Sequence, residues 1–159
     1  MTTKNTDLVA NFEASPQVAN NAAELAGVLR TAHGSVELAA GDSTDDDIVM
    51  LAPVPSNAAV PTLFVGSDTF GGSCTFNVGI YTSAGVVKDE DVFATSVADA
   101  AAMADVRFEA ADIDTAGKKM WELAGDSSDP GGYYYVAATM AADGQTAGTM
   151  SWNISYVVN

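Results

Sequence analysis

The sequence predicts an all-β fold: a jelly-roll-like β-sandwich of about eight strands, with an extended N-terminal arm and at most one short helix. Three observations carry that expectation. From Gly27 onward, short apolar stretches are separated by Gly, Pro, Asp and Ser at intervals of roughly ten residues, the spacing of a sandwich or barrel. Two of the stretches alternate strictly at a period of two. Cys74, Phe76, Val78 and Ile80 share one side of their segment, and Met150, Trp152, Ile154, Tyr156 and Val158 share one side of "GTMSWNISYVV". A hydrophobic content of 48% over 159 residues then requires a real core, one domain in extent.

Taken in order, residues 1–26 read as an arm and residues 27–159 as the sandwich. The arm, "TDLVANFEASPQVANNAAELAG", has irregular apolar positions and the breaker Pro16, which points to extended chain with a turn of helix near residues 20–25. Strands are expected at 28–39, at 47–53, at 62–66 and at 74–82. The second of these, "DIVMLAPV", is so nearly continuous in apolar residues that it reads as buried on both faces. "TSAGVV" reads as a turn. At "SVADAAAMA", Ser96 followed by Asp99 forms a capping-box pattern ahead of an Ala-rich run, which predicts the one helix. Strand signals resume at 106–110, 118–124, 133–142 and 146–158, and the even strand count favours two packed sheets in a jelly roll.

Charge narrows the function classes. Acidic residues outnumber basic ones 21 to 6, a formal charge of −15, so the average surface repels phosphate backbones and anionic lipids. Nucleic acid and membrane are therefore not expected partners. The opening "MTTKNTD" has no apolar h-region, and no apolar run approaches the roughly 20 residues that span a bilayer, so synthesis in the cytoplasm is expected.

The residues that could carry chemistry do not assemble into a site. His33, the single histidine, sits within a strand pattern with no acid or cysteine beside it. "GDS" occurs at Ser43 and again at Ser127, yet a nucleophilic serine needs a histidine base, and none follows either one. Cys74 takes an inward strand position and reads as a small buried apolar residue. Carboxylates cluster at Asp45, Asp46 and Asp47, at Asp89, Glu90 and Asp91, and in "DIDTAG". The last begins like an EF-hand loop but places Ala116 at position five and Leu123 where the bidentate Glu belongs. Solvated turns are the simpler account, with a looser calcium site at a loop junction left open. Asn153 in "NIS" reads as a strand residue. The run Tyr133, Tyr134 and Tyr135 after "SSDPGG" either divides between core and surface or stacks on sugar rings. No enzyme activity, cofactor or metal is expected.

Several stretches together resemble the jelly-roll decoration or cement proteins that coat tailed-phage capsids. They are "LVANFEASPQVANNAAELAGVLRTAHGSVEL", "DDIVMLAPVPSNA", "FNVGIYTSAGVVKDEDVFA", "KKMWELAG" with "DPGGYYYVAATM", and the closing "GTMSWNISYVV". The resemblance implies a virion structural protein on the outer capsid surface, made in the host cytoplasm, that bridges neighbouring capsid subunits. Its partners would be the major capsid protein and further copies of itself, a homotrimer first and a dimer second, because cyclic assemblies match capsid symmetry axes. The contacting residues would be Leu8, Val9, Phe12 and Val18, apolar arm positions with no evident place in the sandwich. The alternative expectation is a carbohydrate- or host-surface-binding module of a virion fibre, resting on the tyrosine run.

Overall fold

The structure, a computed structural model, describes residues 6–19, 27–100 and 102–158. Eight strands form: β1 (Leu29–Leu38), β2 (Ile48–Pro55), β3 (Ala58–Ser67), β4 (Thr75–Thr82), β5 (Val87–Ala98), β6 (Ala104–Asp105), β7 (Tyr133–Met140) and β8 (Gly148–Val158). The chain is wound as one long antiparallel hairpin rolled on itself. β1 pairs with β8, β2 with β7, β3 with β6 and β4 with β5. β8 then takes β3 on its other edge, and β7 takes β4, giving sheets ordered β1-β8-β3-β6 and β2-β7-β4-β5. That is the strand order of a jelly roll.

Alternation does the packing. Phe76, Val78 and Ile80 of β4 are fully buried, and Cys74 just ahead of them is nearly so. They meet Met150 and Ile154 of β8, Val136, Ala138 and Met140 of β7, and Leu63 of β3 in one core. Trp152 and Tyr156 face that core but stay half-buried. Trp152 lies flat over β1 because its neighbour there is Gly34, whose missing Cβ would sit 2.8 Å from the indole.

Several expectations are corrected. β2 is not buried on both faces: Ile48, Met50 and Pro53 are exposed, because β2 is an edge strand with one face on the core and one in solvent. The helix expected from Ser96 is absent. β5 runs through Ser96 to Ala98, and the Asp99 carboxylate accepts hydrogen bonds from the N–H groups of Phe70 and Gly71 and from the Thr69 hydroxyl, not from a local helix start. Residues 106–110 form turns, and 118–124 hold a helix, α2 (Met120–Leu123), with a single bridge from Lys119 to Ala59. Neither stretch forms a continuous ladder: single backbone bonds, Val106 N–H to the Leu63 carbonyl and Ala110 N–H to the Phe93 carbonyl, alternate with side-chain ones, as when Glu122 accepts from the Lys119 N–H at 2.8 Å. The arm also holds a helix, α1 (Asp7–Glu13), started by the Ala10 N–H to Thr6 carbonyl bond. Among the described residues, two short helices and a 3₁₀ turn thus stand where at most one helix was expected. The turn of helix expected near residues 20–25 lies outside the described residues.

The rolled topology gives the sandwich two ends and two flanks. One end gathers the loops 39–47, 68–74 and 141–147 with residues 99–100 and 102–103. There the Asp45 N–H donates to Asp143 (2.9 Å) and the Gly144 N–H to the Ser43 carbonyl (2.6 Å). The other end gathers residues 56–57, 83–86 and 119–132, together with the start of β1 and the end of β8. One flank is bounded by β5 and β6, the other by β1 and β2.

Candidate functional site

Four residues were expected to make contact with a partner. Val9 lies on α1 and is 41% exposed; Val18 lies in the extended chain after it and is 51% exposed. The Val18 N–H turns back to the Asn11 carbonyl at 3.1 Å, so this part of the chain folds over α1. Leu8 and Phe12 stand four residues apart on α1, and their side chains lie outside the described residues. Among the residues of 6–19 whose side chains are described, none belongs to the strand core.

The other candidates are dispersed. His33 is exposed on β1, opposite Asn153. Ser43 is fully buried, packed against Gly144 and Phe70. The Cys74 thiol donates to the Ala142 carbonyl at 3.1 Å. Burial, reinforced by the charges of Asp99 and Asp143, raises its pKa, which keeps it a thiol at neutral pH. Among the described residues no three His, Cys, Asp or Glu side chains converge in a metal-binding arrangement. Asp89 and Asp91 do approach each other. Burial first, and then the hydrogen bond to Asp91, raise the Asp89 pKa.

The tyrosines divide as strand alternation requires. Tyr134 is buried, whereas Tyr133 is 42% exposed and meets the edge of the Tyr135 ring at 5.4 Å between centroids. Beside them lies a cleft of about 320 Å³ lined by Thr82, Lys88, Asp126, Pro130, Gly131 and Tyr133. Lys88 Nζ donates to Asp126 Oδ1 at 2.6 Å, and the Tyr134 hydroxyl donates to Asp126 Oδ2. Lys88 and then Tyr134 hold the Asp126 carboxyl below its ordinary value, while burial and then Asp126 push the Tyr134 phenol up. The cleft therefore offers a fixed carboxylate, an ammonium and one exposed ring.

One further feature went unread in the sequence. Arg107 is fully buried, with its guanidinium between the rings of Phe93 (5.0 Å) and Phe108 (4.6 Å). Nε donates to the Val60 carbonyl at 2.7 Å, and Nη2 and Nη1 donate to the carbonyl and hydroxyl of Thr115 at 3.0 and 3.3 Å. Burial lowers its pKa to about 10, so it stays charged at neutral pH. It clamps the 106–117 segment to β3 and acts as a structural bolt. A single Arg in an acidic chain carries no pattern that would reveal this.

No family model matches the sequence, and no curated protein matches it. Solved structures do. A chain of the cyanophage Pam1 capsid asymmetric unit is similar at 13% identity and a TM-score of 0.50, over 84% of this chain and 86% of that one. A chain of the acid-stable capsid of Helicobacter pylori bacteriophage KHP30 is similar at 12% identity and a TM-score of 0.39, over 82% of this chain and 94% of that one. The likeness to the Pam1 chain is one of fold.

Proposed function

We propose that this chain is a phage virion structural protein that decorates or cements the outer surface of a capsid by bridging neighbouring subunits. The observation that carries the reading is the eight-strand jelly roll, shared over most of both chains with a component of a phage capsid. Charge supports the outer face: a body of −15 lining the interior would be repelled by packaged nucleic acid. The role is structural, without catalysis, cofactor or metal. The partners are the major capsid protein and further copies of the chain, as homotrimer or dimer. It is made in the host cytoplasm and resides on the virion.

The arm, residues 1–26, is the proposed anchor, with Leu8, Val9, Phe12 and Val18 as contacts. Full burial of an exposed Val against a neighbour contributes about 1.5–3 kcal/mol before ordering costs. Deleting residues 2–15 should leave residues 27–159 folded, with a melting temperature within a few degrees of the parent, and sharply lower occupancy on decoration-free shells. Undiminished coating by the truncated chain would remove the arm as anchor, and failure to fold would make it part of the core.

A second reading, a carbohydrate- or host-surface-binding module of a virion fibre, is favoured by the cleft beside Tyr133. An exposed ring next to a fixed carboxylate and ammonium suits the apolar face and hydroxyls of a sugar. Under that reading Tyr133→Ala abolishes glycan binding in calorimetry and leaves shell occupancy unchanged.

A further inference from the structure

Of the four sheet edges, three are protected. β2 carries Pro53 and Pro55 and a register shift between Met50 and Ala52. β5 is broken by three register shifts against β4, and β6 is two residues long, with the turns of 106–110 beyond it. These are the devices by which sheet proteins keep their edges from pairing. β1 has none of them. It is ten residues long, free of Pro, in unbroken register with β8, and among the described residues no strand lies on its outer edge. Its outward side chains, Leu29, Thr31, His33, Ser35 and Glu37, are all exposed.

From this we infer that β1 is a self-pairing edge. Two copies of the chain join through antiparallel β1–β1 contact about a two-fold axis, merging two four-stranded sheets into one of eight strands. The unpaired backbone groups of an edge are satisfied by a strand and by little else. That the strand belongs to a second copy follows from charge. Two bodies of −15 each can approach only where they carry least charge, and β1 balances Arg30 against Glu37 while β2 beneath it has no charged residue. The other flank is occupied by Asp89, Glu90 and Asp91 of β5.

The flank also has apolar surface to cover. A cleft of about 470 Å³ between β1 and β2, mixed in character, is lined by Val36, Glu37, Leu38, Ile48 and Met50, with Asp42 and Asp47 at its loop end. Those two carboxylates already accept bonds from the Ala39 N–H and from the Thr44 N–H and hydroxyl. A strand of this length spans about 33 Å, and a contact one sandwich edge high covers roughly 500 Å² per copy, below the standard interface of about 800 Å². The dimer is therefore concentration-dependent. With the axis perpendicular to the sheet, outward residues meet outward residues, and full overlap places His33 nearest the axis, with Thr31 opposite the partner's Ser35. The inference stands apart from the virion reading and favours the dimer over the trimer.

Sedimentation of the full-length chain tests it. The expected result is a monomer–dimer equilibrium weakened at least tenfold by Thr31→Glu with Ser35→Glu, and unchanged by Ser83→Glu with Ala84→Glu in the exposed turn after β4. Single cysteines at Thr31, His33 and Ser35 then report the axis: under mild oxidation His33→Cys should cross-link fastest, and the buried Cys74 should not take part. A chain that stays monomeric at every concentration, a trimer, or an oligomer weakened equally by both charge pairs would overturn self-pairing. So would cross-linking of these cysteines to a shell protein but not to each other.

Discussion

On the β5–β6 flank, the segment 106–117 crosses the side of the sandwich and is fastened there by Arg107, by the Glu109 carboxylate on the Thr95 N–H (2.7 Å) and by the Ala110 N–H on the Phe93 carbonyl (3.0 Å). β5 itself bulges so far that its Asp89 carbonyl would stand 2.1 Å from a Cβ at Gly79, a close approach only glycine permits. On the β1–β2 flank there is no such segment among the described residues. β1 keeps an unbroken register, Leu29 is 57% exposed, and a cleft of mixed apolar and acidic lining stays open beneath it. Closing one flank consumes backbone hydrogen-bonding capacity and apolar surface within the chain. The open flank keeps both available to a partner, and so the first should govern stability and the second association.

The most severe way to break this contrast is to remove β8, which carries β1 on one edge and β3 on the other. Truncation after Gly148 deletes Met150, Ile154 and the ladder to both neighbours, and should abolish cooperative unfolding in a thermal melt. A soluble, sharply melting truncate would show that β8 is dispensable and the assigned sheet wrong.

The next effect separates the flanks. Arg107→Met removes the clamp, leaves the buried Val60 carbonyl without that donor and takes from the Thr115 carbonyl one of its two donors, the Lys118 N–H remaining at 3.0 Å, a loss of about 2–3 kcal/mol and roughly 8 °C in melting temperature. Arg107→Lys should recover only part, since an ammonium cannot span both carbonyls or stack between two rings. On the open flank, Leu29→Ser should change stability by no more than about 0.5 kcal/mol. Equal losses from Arg107→Met and Leu29→Ser, measured by denaturant unfolding, would erase the distinction.

How much of this could be read from the sequence depends on whether a segment's partners are local. β4 and β8 were legible because alternate side chains enter the core, and alternation records that directly; β7, buried on both faces from Val136 to Met140, was legible from its apolar run instead. β5 was hidden: its Lys-Asp-Glu-Asp run sits on a bulge, and Phe93 enters the core out of step with its neighbours. Ser96 and Asp99 copy a helix start, yet Asp99 acts on the loop before β4, a partner that no local pattern reveals. The open edge of β1 was equally invisible, since edge and centre are properties of topology.

Asp99 gives the third effect, at the loop-gathering end between the two flanks. Asp99→Ala strands the Phe70 and Gly71 N–H groups and should cost about 1–3 kcal/mol, with hydrogen exchange rising at 69–71 and not along β1. Protection lost evenly over the molecule would mean that the loop end is not a separate unit.

The smallest effect is the response to acid. Asp47, Asp126 and Asp129 are held below their ordinary value of 3.8, chiefly by the Thr44 hydroxyl, by Lys88 and by Ser56 respectively. A carboxyl with a lowered folded pKa contributes stability that is present above 3.8 and is lost as pH falls through the folded value. Asp89, raised by burial, runs the other way: its charge works against the closed flank at neutral pH, and that cost is relieved as pH falls through its raised value. The melting temperature should therefore hold or rise slightly from neutrality to about pH 4 and drop below it. Titration of the remaining carboxylates also relieves the self-repulsion of a −15 chain over the same range, so the parent curve cannot assign the effect to particular residues. Single variants can. Asp126→Asn should lower stability above pH 3.8 and flatten the fall below it, whereas Asp89→Asn should raise stability at neutral pH and remove the rise toward pH 4. If Asp89→Asn lowered stability at neutral pH, the bulge of β5 would be held by that carboxylate, and the closed flank would owe part of its closure to a charge that here is counted against it.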